Sequence, residues 1–300
     1  MSFHHIAMAI LVAAVWGFNF IAVKAGLNEM PPYLYGAGRF AIAALPALFI
    51  AKPKTSWAMI VGIGLTLGVF KFTLMFMGIH YGMSAGLASL VLQSQAFFTL
   101  LFSFLIFKSK IKPNQLIGMT IAAVGMILIV ADAQDQSSTL GFILILSAAV
   151  AWGIANILYR MVGDVDMFAM TAWSSVIPPI PMFLVSVYSE GWDVVIDSIQ
   201  TMTTIGWLCL AYTACASSWI GATLWAVLIK SYPPHKVAPF SLLVPVFGIT
   251  FASLILGEKF SQMNMIASAM IFLGLIVNQW RVRTVVDSKI LDEPELKKVA

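Results

Sequence analysis

Charged residues are scarce in this sequence. Of 300 residues only 10% are charged, whereas 60% are hydrophobic and the mean hydropathy is +0.93. A soluble domain carries charge on roughly a quarter of its residues, and here apolar segments recur along the whole chain with short polar gaps. No stretch is left for a separate soluble domain, so the composition predicts a chain that is solvated mostly by lipid.

Cysteine and buried acid are also scarce. The only cysteines, Cys209 and Cys215, lie six residues apart in one apolar segment, which excludes a disulfide framework or a metal cluster. No Asp or Glu lies in the middle of an apolar segment, so the carboxylate relay that a proton pump commonly uses is missing. If the chain moves a solute across a membrane, facilitated movement down a gradient, exchange, and coupling through Lys71 or His80 stay open as mechanisms.

These absences argue against several classes of protein. The histidines are scattered without partners, which argues against an intramembrane enzyme, and a receptor is expected to carry a folded soluble domain. The net charge of +4 comes from loops and the tail rather than from an aromatic-interleaved patch, so no nucleic acid is expected as a partner. There is no Walker-type phosphate loop, and we expect no cofactor.

Ten apolar stretches are long enough to span a membrane as helices of about 20 residues. The sequence therefore predicts an all-α integral membrane protein, with spans near 6 to 26, 33 to 51, 57 to 80, 84 to 107, 114 to 131, 140 to 159, 167 to 188, 204 to 229, 236 to 257 and 262 to 280.

The loops predict the orientation of these spans, because Lys and Arg near span ends are retained in the cytoplasm. With the N-terminus inside, only Lys24 and Lys259 lie in outer loops, and both termini are cytoplasmic. The cytoplasmic set then has thirteen members: Lys52, Lys54, Lys108, Lys110, Lys112, Arg160, Lys230, Lys236, Arg281, Arg283, Lys289, Lys297 and Lys298.

The two halves of the sequence repeat. Trp16-Gly17 recurs as Trp152-Gly153 at an offset of 136, Ser89-Leu90 recurs as Ser241-Leu242, and the run from Ser109 to Gly125 matches Glu258 to Gly274 at an offset of 149. Matches in one order indicate duplication, and five spans per half make the second copy enter from the opposite side. We expect two inverted five-helix repeats, 1–135 and 136–282, and a polar cytoplasmic tail, 283–300.

Several runs resemble a known family. They are Trp16-Gly17-Phe18-Asn19-Phe20, Lys24-Ala25-Gly26, Pro31-Pro32, Arg39-Phe40, the segment Gly86 to Phe98 and the segment Val237 to Pro245. They are similar to EamA-type members of the drug/metabolite transporter superfamily, and above all to the bacterial exporters of O-acetylserine and cysteine within it. The resemblance covers nearly the whole chain and implies an inner-membrane exporter of amino-acid-like metabolites.

Two departures from the family pattern stand out. The first half carries Lys108-Ser109-Lys110 where the family commonly has Gly-Glu-Arg, a pattern that the second half keeps as Gly257-Glu258-Lys259. Lys71 stands where relatives are expected to have a neutral residue, which bears on the substrate.

Lys71 is the leading candidate for a binding residue. An ionisable group at membrane depth costs roughly 2.5 to 3.5 kcal/mol, so it persists where it faces protein or a cavity. Helical spacing places it on a stripe of small and apolar residues: Gly64, Gly68, Lys71, Met75 and Gly78. Gly64 and Gly68 have the small-xxx-small spacing that lets helices approach closely, so Lys71 should face protein. It either meets a substrate carboxylate or gates the path, or it has a structural partner such as backbone carbonyls.

Other polar candidates come in pairs. Trp16 lies three residues before Asn19, and Trp152 lies four residues before Asn156, so each half offers an indole beside an amide. These pairs suit the two ends of a zwitterion, and interhelical hydrogen bonding and aromatic packing are the structural alternative. Gln93 is preferred over Gln95, which points about 200° away, unless the helix is broken.

Two further positions carry structural expectations. Pro245 removes the helix hydrogen bond to the carbonyl of Ser241, which must then be satisfied by substrate, water or a neighbouring helix. Arg39 is expected to anchor the outer end of its span or to pair with an acid such as Glu29.

Together these features predict an alternating-access exporter. Its cavity is lined by the first, third, fourth, sixth and ninth spans, with Trp16, Asn19, Trp152 and Asn156 as walls, Lys71 attracting a carboxylate, and Gln93 and Ser241 orienting the substrate. A multidrug or other small-metabolite transporter of the same superfamily is the alternative. A phosphorylated substrate would favour several buried basic residues and a cation would favour a buried carboxylate. The expected partners are a small amino-acid-like molecule and the lipid bilayer, and the sequence leaves a homodimer open.

Overall fold

The computed structural model describes residues 1–108, 111–132, 136–232 and 234–279. These residues form helices and turns and contain no β-strand. The predicted polar tail, 283–300, and the departure at Ser109 lie outside the described residues. An all-α architecture is thus confirmed for the described part of the chain.

Eleven helices follow one another in this part of the chain, several of them with an irregular turn inside. They are α1 (Phe3–Gly26), α2 (Pro32–Ala43), α3 (Trp57–His80), α4 (Ala85–Phe107), α5 (Pro113–Asp132), α6 (Gln136–Val162), α7 (Met167–Glu190), α8 (Trp192–Thr201), α9 (Thr204–Ala211, Tyr212–Ile220 and Gly221–Ser231), α10 (Pro234–Ser241 and Leu243–Leu256) and α11 (Gln262–Gln279).

Eight of these helices are long and apolar enough to cross a membrane, namely α1, α3, α4, α5, α6, α7, α9 and α10. The second predicted span is helical over only 12 residues, in α2, before a short 3-10 turn, Leu45–Leu48. The tenth corresponds to the shorter apolar helix Gln262–Asn278 within α11. Helix α8 was not predicted, because its polar residues favour a loop.

Helix α7 is interrupted at its prolines. The helix breaks after Ser174 and resumes at Pro179. The break leaves Pro178 against α3, where a Cβ on Gly68 would clash with the Pro178 ring. A Cβ on Gly64 would lie 2.7 Å from the carbonyl oxygen of Ser174. The predicted small-residue contact of Gly64 and Gly68 is therefore made with α7.

Irregular turns occur at matching places in the two halves. Residues Gly64–Lys71 of α3 and Tyr212–Ile220 of α9 are π-helical, and a shift of 149 superposes the two ranges to within one residue. The 3-10 turn Leu92–Ser94 in α4 corresponds in the same way to the turn at Leu242 in α10. Such turns widen or tighten a helix locally, so they reorient the side chains beyond them.

The ends of α4 and α10 also match. Lys108 follows α4 with a φ of 51°, and Gly257 follows α10 with a φ of 66°. Both residues stop their helix in the left-handed region, which glycine adopts without cost and lysine does not. The offset between them is again 149.

Close contacts between helices also occur at matching glycines of the two halves. A Cβ on Gly17 of α1 would lie 2.5 Å from the Cβ of Phe247 on α10, and one on Gly153 of α6 would lie 2.8 Å from the Cβ of Phe98 on α4. Between α5 and α11, Gly118 faces the backbone of Gly274. Helices from different halves thus touch backbone to backbone, which only small residues allow.

Candidate functional site

Lys71 is buried against protein, as its stripe predicts. It is the last residue of the π-helical turn in α3, and only 6% of its surface is exposed. Its Nζ lies 3.4 Å from the ring centroid of Phe72 and 4.8 Å from that of Trp152 on α6. Lys71 therefore sits between the halves, with two aromatic faces around its ammonium group.

Arg39 lies beside Lys71, and the expectation that it pairs with Glu29 is wrong. Its Cζ is 3.8 Å from the ring centroid of Phe72, and only 3% of its surface is exposed. Nε donates to the carbonyl oxygen of Thr213 at 3.2 Å, and Nη2 donates to Ser218 Oγ at 3.0 Å. The short α2 and the π-helical turn of α9 place this guanidinium deep in the bundle rather than near its end.

Asn156 joins α6 to α4. Its Nδ2 donates to Gln95 Oε1 at 2.5 Å and to Thr99 Oγ1 at 3.0 Å. Gln95 can reach it because the 3-10 turn Leu92–Ser94 breaks α4 just before it. The break in α4 is the condition under which Gln93 and Gln95 can both face the interior of the bundle.

Gln93 of α4 and Ser241 of α10 are in contact. Gln93 is buried, and its Nε2 donates to the carbonyl oxygen of Ser241 at 3.1 Å. This is the carbonyl that Pro245 was predicted to release, and a neighbouring helix is what satisfies it. The contact joins α4 of the first half to α10 of the second at the turn in each helix.

Trp16 and Asn19 lie on α1 in a different environment. Trp16 Nε1 donates to the carbonyl oxygen of Ser217 at 3.1 Å, and its ring lies 5.3 Å from that of Trp225. Asn19 is 6% exposed, and its Oδ1 is buried without a hydrogen-bond partner. A buried carbonyl oxygen without a donor is costly, so Asn19 offers an acceptor to a ligand.

One end of the bundle is held together by carboxylates, and we call it the Glu258 end. Glu258 accepts from the backbone N–H groups of Ala85 and Gly86, at 2.7 and 3.1 Å, where α4 begins. Glu29 accepts from the backbone N–H of Thr203 at 2.9 Å, where α9 begins. Each contact joins a carboxylate of one half to a helix start of the other. The N-terminal end of a helix carries a partial positive charge from the helix macrodipole, which favours such an anion.

The opposite end of the bundle is joined by neutral and aromatic contacts. Tyr232 Oη lies 2.9 Å from His5 Nδ1 and accepts from the backbone N–H of Ser2 at 3.1 Å. Trp173 Nε1 donates to the carbonyl oxygen of Ile50 at 3.0 Å. In the described part of the chain, no carboxylate joins the halves at this end.

Two cavities lie away from these residues. One of about 460 Å³ lies between α5 and α6, and one of about 270 Å³ lies between α4, α10 and α11. Both are apolar, and no predicted site residue lines either of them. The polar side chains described above are instead packed against one another.

The structure thus brings Lys71 to Trp152 and Gln93 to Ser241, whereas Trp16 contacts α9 and Asn156 contacts Gln95. Sequence reasoning missed Arg39 and Glu258 as candidates. The signal for Arg39 was its place within an apolar segment, where an ionisable residue marks a candidate functional site.

The fold defines a class first. Eight helices that are long and apolar enough to cross a membrane, with polar side chains buried among them, describe a multi-pass membrane protein. The sequence model of the EamA-like transporter family matches residues 5–131 and 139–279. The chain therefore belongs to the EamA-like transporter family.

Individual relatives agree with this assignment. The chain is 37% identical to a probable amino-acid metabolite efflux pump of Escherichia coli and 39% identical to one of Salmonella typhimurium. In each case 285 residues align, which cover 92% of this chain and 95% of the relative. A protein of known crystal structure, 15% identical, superposes with a TM-score of 0.62 over 98% of this chain and 100% of its own. That last likeness concerns the fold alone.

Proposed function

We propose that this protein exports small amino-acid-like metabolites, such as cysteine, O-acetylserine or related amino acids. The observation that carries this proposal is Lys71, a buried lysine of the first half whose ammonium group faces Trp152 of the second half. A cation at membrane depth between two halves marks a substrate path, and a carboxylate is the group it attracts. The relatives that are efflux pumps for amino-acid metabolites support this choice.

The proposed mechanism is alternating access between two inverted five-helix units, 1–135 and 136–282. The π-helical turns, the left-handed helix ends and the glycine contacts, which all recur at matched positions, support this division. Ten spans with both termini in the cytoplasm follow if α2 and α11 cross the membrane with the other eight. A homodimer is not required by this cycle, because one chain supplies both halves of the path.

The proposed substrate contacts divide by chemistry. Lys71 takes the carboxylate, the unpaired Oδ1 of Asn19 accepts from the ammonium group, and Trp16 and Trp152 form the walls. Gln93, Ser241 and Asn156 hold the two helix breaks together and orient the substrate beside them. A cationic drug fits less well, because among the described residues no carboxylate is buried in the middle of the bundle.

The test is counterflow in proteoliposomes with radiolabelled cysteine, O-acetylserine, threonine and aromatic amino acids. We expect wild type to move at least one of them, and Lys71→Gln to weaken its apparent affinity about tenfold, since it removes a charge-assisted contact. Lys112→Gln, which changes an exposed loop lysine, is the matched control and should behave as wild type. If no compound moves, the proposed function is wrong. If the two variants behave alike, Lys71 is outside the path.

A further inference from the structure

Two buried cations share one aromatic ring at the centre of the bundle. Arg39 Cζ and Lys71 Nζ lie 3.8 and 3.4 Å from the ring centroid of Phe72, so about 7 Å at most separates them. Both side chains are more than nine-tenths buried. Like charges this close repel each other strongly where water is excluded.

Neither cation has an ionic partner among the described residues. Arg39 Nη1 is buried without a hydrogen-bond partner, and the other guanidinium nitrogens meet only a carbonyl and a hydroxyl. Lys71 contacts the rings of Phe72 and Trp152. In the ranges that the structure describes, no carboxylate pairs with either side chain. Burying a charge without an ionic partner is costly, and two together raise the cost further.

We propose that Arg39 Nη1 and Lys71 Nζ together form an oxyanion subsite, and that the protein prefers metabolites with a net negative charge over zwitterions. This inference rests on the proposed function and deepens it. An oxyanion in contact with both cations supplies the missing counter-charge and an acceptor for the free guanidinium N–H. The shared chemistry is a carboxylate or a phosphate on a small metabolite.

The backbone supports this arrangement. Lys71 is the last residue of the π-helical turn in α3, and Arg39 is held by Thr213 and Ser218 of the π-helical turn in α9. Turns of this kind occur frequently at functional sites. The two cations therefore come from the first half, but the second half positions one of them.

The preference for a metabolite with a net negative charge follows from the charge balance between the metabolite and the two cations. A zwitterion brings a carboxylate but also an ammonium group, which the two cations repel, and the buried centre offers it only neutral acceptors such as Asn19. Masking the ammonium group removes this repulsion and leaves the carboxylate contact unchanged. The affinity should then rise although the size of the molecule hardly changes.

The isomers N-acetyl-L-serine and O-acetyl-L-serine test this preference directly. They have one composition, but the first carries a net negative charge and the second is a zwitterion. Each is added as a competitor in counterflow, at a mildly acidic pH that prevents acetyl migration. We expect wild type to bind N-acetylserine about tenfold more tightly, which is roughly 1.4 kcal/mol. Inorganic phosphate as a third competitor, which carries no carboxylate, distinguishes phosphate from carboxylate.

Variants assign the preference to the two cations. Lys71→Gln and Arg39→Gln should each bring the ratio between the isomers close to one, whereas Lys112→Gln should keep it. If Arg39→Gln does not fold, Arg39→Lys retains the charge without the planar fork and should keep part of the preference. Wild type without a preference, or a preference that survives in Lys71→Gln, would overturn the subsite.

Thermal unfolding of the detergent-purified protein separates this proposal from the exporter proposal. N-acetylserine should raise the unfolding temperature of wild type more than O-acetylserine does at equal ionic strength, and the Lys71→Gln variant should lose the difference. If neither isomer is transported but this shift depends on Lys71, the subsite stands and the transport function fails. If amino acids are transported without any preference for the anion, the function stands and the subsite fails.

Discussion

Glu258→Ala should open the Glu258 end of the bundle. Its carboxylate accepts from the N–H groups of Ala85 and Gly86, and a hydrogen bond to a charged group contributes roughly 1.5 to 3 kcal/mol. Because the contact is only partly buried, we expect a loss of about 2 kcal/mol, which shifts the equilibrium between closed and open forms about thirtyfold.

Labelling of a cysteine reporter measures this opening. Ser89→Cys, in a background without Cys209 and Cys215, places a thiol on α4 opposite Gly248 of α10. In the proposed orientation the Glu258 end faces the outside of the cell, so a membrane-impermeant maleimide added there should label the reporter much faster in Glu258→Ala than in the parent. Glu258→Gln, which keeps one acceptor oxygen, should fall between them, and Asp193→Ala, an exposed acid on α8, should change nothing. Equal labelling rates in all four proteins would show that Glu258 does not hold this end of the bundle closed.

Gly17→Val should abolish transport and lower the yield of folded protein. A Cβ at Gly17 would lie 2.5 Å from the Cβ of Phe247 and 2.9 Å from the backbone nitrogen of Gly248, so α1 must move away from α10. Overpacking of this kind costs about 1 to 3 kcal/mol, and here the contact also joins the two halves that move in the proposed cycle. Size-exclusion profiles and counterflow of the purified protein measure both effects.

Two other glycines calibrate this result. A Cβ on Gly153 would lie 3.2 Å from its nearest backbone atom, in Phe98, so Gly153→Val should impair transport less than Gly17→Val. Gly62 faces only the end of the Leu158 side chain at 3.3 Å, and Gly62→Val should retain most activity because that side chain can turn away. A Gly17→Val protein as active as Gly62→Val would show that α1 and α10 tolerate separation.

The sequence predicts the helices of this fold well because lipid imposes a simple length and polarity rule on each of them. The limits of that rule appear at α2, which ends at Ala43 and passes into a 3-10 turn at Pro46 although the apolar segment continues, and at α8, whose acids and amphipathic pattern favour a loop. The duplication was visible at Trp16 and Trp152 because few residue types can replace an indole in a helix contact.

The site was harder to predict because regular helix geometry fails there. Counting residues at 100° placed Gln95 away from Gln93, but the 3-10 turn Leu92–Ser94 brings Gln95 to Asn156. The same assumption placed Arg39 near the membrane surface, whereas the π-helical turn of α9 provides its acceptors in the interior. The carbonyl of Ser241 was predictable because proline always removes the same hydrogen bond.

The unpaired charges of Arg39 and Lys71 also bear on the energy source of export. A cell keeps its interior electrically negative, and each elementary charge that crosses the membrane changes the free energy by about 2.3 kcal/mol per 100 mV. In the proposed cycle an anion leaves with this field, and the empty, positively charged site is drawn back toward the interior to reload. A transporter that selects anions in this way uses the membrane voltage itself, and it has no need of a carboxylate that carries protons.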